Sequence, residues 1–258
     1  MIAILAPAKK MDFESDYLET PCERPHLFTE KTKIISDVLK SMDEDAIGSL
    51  MKVSTAIGKK TWTSYKSFSN GRNKKKCRPA LFTYQGDAYK GLDAQSFSTD
   101  DMLFAEDHLR ILSGLYGMLS PLTLIEPYRL EMGQNLSKVH GRRLSDYWKE
   151  DITHKLNELF VKQESKILVN LSSAEYLASV DKKTLKPKIL DIVFKQDKKG
   201  TLKTIGSLAK KARGMMAGFM IKKRLEEPES LKSFNGDGYD FKPDLSKDNR
   251  FVFVQKIS

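Results

Sequence analysis

Two short apolar runs are typical of β-strands buried on both faces, and they constrain the fold more than any other feature of the sequence. The first, IAILAP at residues 2–7, ends at Pro7, whose ring nitrogen has no hydrogen to donate to a neighbouring strand. The second, KILVNLSS at residues 166–173, ends in polar residues, which in open α/β sheets tend to face ligands. Segments with helical spacing lie between and after these runs. The sequence therefore predicts an α/β fold of mixed α+β character, with helices flanking a mixed central sheet.

Other segments add helices and strands to this sheet. Ser98 and Asp101 have the spacing of a helix cap, and apolar residues at 102, 105, 109 and 112 extend the predicted helix to about Gly114. Helices are also predicted from Ser145 and over residues 208–225, where small residues permit close approach to another element. The remaining predictions are a strand, ALFTY, at 80–84, a polar loop at 85–93, a hairpin around QDKKG at 196–200 and a strand, RFVFVQK, at 250–256. No repeat or long linker divides the sequence, so one domain over residues 1–258 is expected.

Positive charge is clustered along the chain. The formal net charge is +10, from 44 Lys and Arg against 34 Asp and Glu. Residues 72–78, RNKKKCR, hold five basic side chains, and residues 195–224 hold ten against the one acid Asp197. Such an excess attracts polyanions such as nucleic acid.

The cysteines and the lengths of the apolar runs indicate the cellular compartment and whether the chain spans a membrane. Cys22 and Cys77 stand alone, without metal-ligand spacing, which favours a reducing compartment such as the cytoplasm. No apolar run approaches the ~18 residues that a membrane span needs, so no membrane association is expected.

Motifs for metals and nucleotide cofactors are absent from the sequence. It contains no HExxH, EF-hand, GxGxxG, P-loop or GxSxG pattern. Asp151 and His154 have the helical spacing of two metal ligands. Carboxylate-bridged iron sites need a second copy of this acid-x-x-His pattern and two further carboxylates, so an exposed polar helix face explains the two residues better. The four histidines are scattered, at His26, His108, His140 and His154. We therefore predict neither a metal site nor a cofactor.

Several charged residues lie within apolar segments, where burial without a partner is costly. Arg110 lies in HLRILSGLYG, and Arg129 lies in EPYRLEMG. Two interpretations remain open. Internal pairing, for example of Arg129 with Glu131 or Glu126, would satisfy these charges, and so would a basic cleft that binds phosphate.

The GLYG turn at residues 114–117 bears on that choice. A glycine-bounded turn between helices can present backbone N–H groups to a phosphate, as the helix-hairpin-helix element of DNA-binding proteins does. The usual hairpin is Gly-hydrophobic-Gly, and this one is a residue longer. The alternative is a helix that ends at Gly114 and is followed by an ordinary turn.

Six segments together resemble the YaaA family of bacterial peroxide-stress proteins. In order, they are LAPAKKMD, GDAYKGLDAQSFS, HLRILSGLYGMLSPLTLIEPYRLEMG, NLSSAEY, KKARGMMAGFMI and FNGDGYDF. The resemblance spans the whole chain. It implies a single α/β domain with a positively charged cleft and a helix-hairpin-helix-like element. It also implies DNA binding and a cytoplasmic role in resistance to hydrogen peroxide by limiting unincorporated iron.

The resemblance, carried over to this sequence, gives a set of candidate cleft residues. Those expected to bind DNA or phosphate are Lys10, Arg110, Gly114, Gly117, Arg129, Lys210, Lys211 and Arg213. Further expected cleft residues are Tyr89, Asn170, Ser172 and Ser173. Candidates for catalysis are Lys9, Asp87, Tyr128 and Glu131. The basic loop at 72–79 is richer in positive charge than the family pattern and is left outside this set.

Three functions are compatible with these residues. In the first, the cleft binds the phosphates of duplex or structured DNA, and a tyrosine stacks on an unpaired base. In the second, the protein is an enzyme that acts on nucleotides or damaged DNA bases, since the segments mix acids with bases whereas a phosphate groove needs only bases. The third, direct sequestration of iron, lacks a sufficient set of ligands. No obligate protein partner is indicated.

Overall fold

A mixed eight-stranded sheet forms the centre of the protein. The computed structural model describes residues 1–136 and 142–257, so His140 lies outside the described residues. The strands are β1 (Ile2–Leu5), β2 (Lys10–Met11), β3 (Arg78–Pro79), β4 (Tyr84–Gln85), β5 (Leu109–Ser113), β6 (Gly117–Leu119), β7 (Leu124–Ile125), β8 (Asn135–Leu136), β9 (Arg142–Arg143), β10 (Ile167–Leu171), β11 (Lys188–Lys198), β12 (Thr201–Lys203), β13 (Tyr239–Phe241) and β14 (Arg250–Ile257). The α-helices are α1 (Thr29–Ser41), α2 (Glu44–Met51), α3 (Thr55–Ser67), α4 (Ala80–Thr83), α5 (Asp87–Leu92), α6 (Thr99–His108), α7 (Leu144–Val161), α8 (Ala174–Leu177) and α9 (Gly206–Lys222). Short 3-10 turns cover Lys74–Lys76, Ala94–Ser96, Pro228–Ser233, Gly236–Gly238 and Pro243–Leu245.

The order of the strands places a topological switch point at the middle of the sheet. The order is β13-β14-β11-β10-β1-β5-β6, and β12 pairs with β11. The inner strands from β14 to β5 are parallel, whereas β13, β12 and β6 run antiparallel to their neighbours. This confirms the predicted α/β class with a mixed central sheet. From β1 the chain passes to β5 on one side and later to β10 on the other, so the carboxyl end of β1 is a topological switch point, where open α/β sheets bind ligands.

The elements predicted from the longest patterns are confirmed. Both buried runs form adjacent inner strands, β1 and β10, and the last strand is β14. The predicted hairpin joins β11 to β12 through Lys199 and Gly200, which both have positive φ. Ser98 and Asp101 form a reciprocal capping box at the start of α6. The helices predicted from Ser145 and over 208–225 are α7 and α9.

The predicted placement of the helix-hairpin-helix-like element around the GLYG turn is wrong, because residues 109–119 form a β-hairpin. α6 ends at His108, and β5 and β6 pair antiparallel with Ser113 opposite Gly117. All five residues of β5 are buried, because the strand lies between β1 and β6. Apolar side chains on both faces of such a strand also fit the spacing of a buried helix, which is why the pattern was ambiguous. The GLYG turn at 114–117 therefore joins strands, and the predicted helix end at Gly114 is wrong as well.

Two shorter segments also differ from prediction. In ALFTY, residues 80–83 form the single helical turn α4, and only Tyr84–Gln85 is extended, paired with β2. The polar segment at 85–93, expected to be a loop, contains α5. Elements of four to six residues are too short for periodicity to define them.

Helices α5 and α9 pack with their backbones in direct contact. A Cβ atom at Gly214 would lie 1.7 Å from the carbonyl oxygen of Ala88, and one at Gly91 would lie 2.1 Å from that of Lys211. Only glycine fits at either position. The predicted close approach of α9 to another element is confirmed, and it fixes the start of α5 beside the first half of α9.

The apolar core surrounds the inner strands. Ile2 and Ile4 of β1, Trp148 of α7 and Met216 of α9 have no exposed surface. Complete burial of one such side chain contributes about 1.5–3 kcal/mol, so the core fixes the sheet that carries the site. Within residues 1–136 and 142–257, no helix has both the length and the apolarity to cross a membrane.

Candidate functional site

A cavity of about 540 Å³ opens at the carboxyl ends of β1 and β10. Five segments form its walls: residues 5–10 after β1, residues 85–89 at the start of α5, residues 128–131, residues 171–176 after β10, and the first half of α9. The cavity therefore lies at the switch point of the sheet, and its volume is typical of a small-molecule site.

Positively charged side chains outnumber acids in the cavity wall. The cations are Lys9, Lys10, Arg129, Lys210 and Arg213, and the acids are Asp87, Glu131 and Glu175. The wall thus brings together ten of the residues predicted from the sequence: these five cations, Asp87, Glu131, Tyr89, Tyr128 and Ser173.

Glu131 makes the main charge contact inside the cavity. Its Oε1 atom lies 2.7 Å from Lys9 Nζ and 4.0 Å from Arg129 Nη2. The lysine contact is a close ion pair, whereas the arginine contact is beyond hydrogen-bonding distance. Glu126, the other partner considered for Arg129, instead accepts hydrogen bonds from the backbone N–H groups of Ser69 and Gly71, at 2.8 and 2.7 Å. Internal pairing therefore satisfies Arg129 only in part.

Both guanidinium groups of the cavity keep unused hydrogen-bonding capacity. Arg129 Nε and Arg213 Nε are buried and have no hydrogen-bond partner among the described residues. Burial lowers the pKa of Arg213, and nearby Asp191 opposes that shift. A buried N–H donor without a partner costs about 1–3 kcal/mol, which a bound anion would offset.

Three tyrosine rings, those of Tyr89, Tyr128 and Tyr176, contribute to the apolar part of the wall beside aliphatic side chains such as Leu5 and Leu171. The hydroxyl of Tyr128 lies 2.6 Å from Tyr84 OH and 2.7 Å from Ser113 Oγ, and Tyr89 OH donates to the carbonyl oxygen of Ala6 at 3.2 Å. Burial raises the pKa of Tyr128 to about 12, and it also raises the pKa of Tyr89 and Tyr176. These hydroxyls stay protonated at neutral pH and are engaged within the protein, so the rings are what the cavity presents.

Two further predicted residues adjoin the cavity without lining it. Asn170 Nδ2 donates to Asp191 Oδ1 at 2.7 Å, and Ser172 Oγ donates to Asn170 Oδ1 at 2.8 Å. This chain of hydrogen bonds fixes the carboxyl end of β10. Asn170 and Ser172 therefore support the wall through the backbone that leads to Ser173.

The remaining predicted residues lie elsewhere. Arg110 is buried, and its Nη1 atom donates to the carbonyl oxygens of Glu106 and Leu109, at 2.5 and 2.6 Å. Lys211 Nζ lies 2.7 Å from Asp237 Oδ2, and neither residue lines the cavity.

Two glycines act through packing. A Cβ at Gly114 would lie 2.5 Å from the carbonyl oxygen of Leu130, so Gly114 lets residues 128–131 approach the hairpin. Gly117 has a φ of +72°, and a Cβ there would lie 2.7 Å from the Trp148 ring. Neither glycine lines the cavity.

Sequence reasoning missed Gln85, Glu175 and Tyr176, which also line the cavity. Glu175 Oε1 accepts a hydrogen bond from the backbone N–H of Gly133 at 2.8 Å, so it connects α8 to the segment that carries Glu131. Glu175 and Tyr176 belong to the NLSSAEY segment and are separated from Ser172 and Ser173 only by Ala174. Their position in the first residues after the predicted strand β10 could have identified them as candidates from the sequence.

No cluster of three or more His, Cys, Asp or Glu side chains suited to a metal ion occurs among the described residues. Asp151 pairs with Lys31, and His154 Nε2 lies 3.0 Å from Glu158 Oε1. The two residues with ligand-like spacing are thus engaged in separate surface pairs.

The fold and the cavity define a mixed α/β protein with a predominantly basic cavity at the switch point of its sheet. The chain belongs to the peroxide stress protein YaaA family, whose model matches residues 1–245. This confirms the resemblance drawn from the six segments. Relatives include a UPF0246 protein of Francisella tularensis subsp. tularensis, strain WY96-3418, which is 42% identical over 99% of this chain and all of that protein. UPF0246 proteins of Francisella tularensis subsp. novicida and Francisella philomiragia are 41% identical, over the same shares of both chains.

Proposed function

We propose that this peroxide-stress protein acts in the cytoplasm by binding nucleic acid through the basic cavity, and so helps to protect DNA and protein from oxidative damage. The observation that carries the proposal is the convergence of five cationic side chains on one cavity at the carboxyl ends of β1 and β10. Cys22 and Cys77 are both free thiols, as expected in a reducing compartment.

The positions of the lysines suit contact with a phosphate backbone. Lys9, Lys10 and Lys210 are exposed at the cavity mouth, whereas Arg129 and Arg213 are partly buried inside it. A strand lying across the mouth would place its phosphates against the lysines, and these contacts position the strand without reading its sequence. The cavity is too small for a duplex, so the bulk of the nucleic acid would stay outside.

Lys210 and Lys211 offer a matched test, because they are neighbours that differ in placement. Lys210→Ala is expected to flatten the slope of log K against log salt by about 0.9 for duplex DNA, the change that follows from losing one phosphate contact. Lys211→Ala should leave the slope unchanged, since its ammonium group pairs with Asp237 outside the cavity. Fluorescence anisotropy between 50 and 200 mM salt measures both. Equal wild-type affinity at the two salt concentrations would refute nucleic-acid binding by this cleft.

The same proposal includes a role in limiting unincorporated iron. We expect the protein to lower the amount of free iron without binding iron itself. Equilibrium dialysis of the full chain with Fe(II) under anaerobic conditions should detect no tightly bound iron, because Glu131 is paired with Lys9 and the described residues hold no cluster of three or more metal-ligating side chains. Stoichiometric binding of one iron per chain would replace this part of the proposal with direct sequestration.

One observation favours a second candidate, an enzyme acting on nucleotides or damaged bases in the same cavity. The carboxylates of Asp87 and Glu131 share the wall with Lys9, and Glu131 contacts Lys9 directly. An acid next to a base inside a cavity suits proton transfer. Trapping of a lysine adduct with borohydride on abasic or oxidised DNA would support the enzyme, and the absence of any adduct or product over a panel of damaged bases would count against it.

A further inference from the structure

We propose that the cavity holds a single nucleotide unit, with its phosphate on Arg129 and Arg213 and its base against the rings of Tyr89, Tyr128 and Tyr176. This inference rests on the proposed binding of nucleic acid and specifies what enters the cavity. The chemistry is that of one phosphorylated nucleoside, supplied either as a free nucleotide or as an unpaired unit of a strand.

The phosphate position follows from the two guanidinium groups. Arg129 Nε and Arg213 Nε are both buried, line the same cavity and have no hydrogen-bond partner among the described residues. Guanidinium groups bind phosphate oxygens through paired N–H donors, and such charge-assisted bonds are about twice as strong as neutral ones. The inner wall thus offers donors that the described protein does not use.

The charge of the wall matches one phosphate monoester. Five cations and three carboxylates leave two positive charges at the cavity. A phosphate monoester carries about −1.5 to −2 at pH 7. Binding it would bring the site close to neutrality without displacing Glu131 from Lys9.

The base position follows from the tyrosines. Tyr89 and Tyr128 use their hydroxyls inside the protein, with Ala6, Tyr84 and Ser113 as partners. Only 6–8% of each of the three cavity tyrosines remains exposed, and this surface borders the cavity. A base packed on this surface would gain part of the about 1–3 kcal/mol that stacking on an open aromatic ring contributes, and such contacts tolerate any base.

Isothermal titration calorimetry with the full chain tests the inference with three probes: 5′-AMP, adenosine and inorganic phosphate. If both halves of the nucleotide are bound, 5′-AMP should bind at least about tenfold more tightly than adenosine or phosphate alone. A fourth probe, the trinucleotide d(AAA), separates the two sources. Tighter binding of d(AAA) assigns the site to a strand, and tighter binding of 5′-AMP assigns it to a free nucleotide.

Two substitutions in α9 test whether 5′-AMP binds in the cavity. Arg213→Gln should weaken 5′-AMP binding about tenfold, the loss expected for a charged hydrogen bond, and should not affect adenosine. Lys211→Gln removes the same charge two residues away, outside the cavity, and should leave both affinities unchanged. Thermal unfolding of each variant verifies that the fold is intact.

The outcomes separate this inference from the function on which it rests. If 5′-AMP binds no more tightly than phosphate, or if the two glutamine variants behave alike, the nucleotide pocket is refuted. Salt-dependent DNA binding in that case leaves the proposed function standing. If 5′-AMP binds as described but DNA does not, the pocket stands and the proposed function fails. Absence of both refutes both.

Discussion

Replacing Gly214 with alanine is expected to lower the free energy of unfolding by about 3 kcal/mol and the melting temperature by roughly 6–12 °C. The added Cβ would lie 1.7 Å from the carbonyl oxygen of Ala88. Backbone atoms cannot rotate away as a side chain can, so α5 and α9 must separate. Because residues of both helices line the cavity, ligand affinity should fall together with stability. Urea titration and calorimetry measure the two effects.

Gly48 provides the matched control, since it also lies within a helix, α2, but has open space where its Cβ would be. Gly48→Ala should stabilise the protein by about 0.5–1 kcal/mol, because alanine loses less backbone entropy on folding. If Gly214→Ala were as stable as the wild type, the direct backbone contact between α5 and α9 would be wrong, and with it the arrangement of the cavity walls.

The fold was predictable wherever one physical pattern dominated a segment. β1 and β10 are short apolar runs with clear ends, and α7 has an apolar stripe at helical spacing. β5 was mistaken for a helix because a strand that is buried on both faces has no alternation, and its apolar residues continued the stripe of α6. Only the pairing with β1 and β6, which joins residues far apart in sequence, distinguishes the two.

Most polar residues that line the candidate site could be selected from the sequence. Their arrangement in space could not be predicted. Lys9, Arg129 and Arg213 lie on three separate segments, and nothing local in the sequence says that these segments meet. Lys210 and Lys211 looked equivalent in the sequence, yet only Lys210 lines the cavity. Adjacent residues on a helix point about 100° apart, so the packing of α9 against α5 decides which of them faces a ligand.

Glu131→Gln is expected to tighten the binding of a DNA oligonucleotide by about five- to tenfold at 50 mM salt. The carboxylate lies 2.7 Å from Lys9 Nζ, so it forms an ion pair with the lysine, and its negative charge also repels an incoming phosphate. Unit charges at 4 Å interact with about 4 kcal/mol at an effective dielectric constant of 20. Lys9 is 63% exposed, so screening by solvent reduces the effect of the carboxylate charge on binding to about 1 kcal/mol. The gain should shrink at 200 mM salt.

Lys9→Gln provides the control of opposite sign, because it removes the cation and should weaken binding. The double variant Lys9→Gln/Glu131→Gln then measures the coupling between the two groups. A binding cleft requires that Glu131→Gln increase affinity, since the carboxylate only opposes phosphate there. If instead the variant loses affinity, or abolishes an adduct that borohydride traps in the wild type, Glu131 acts directly on the ligand. Loss of the trapped adduct would in addition identify the protein as an enzyme rather than a phosphate-binding protein.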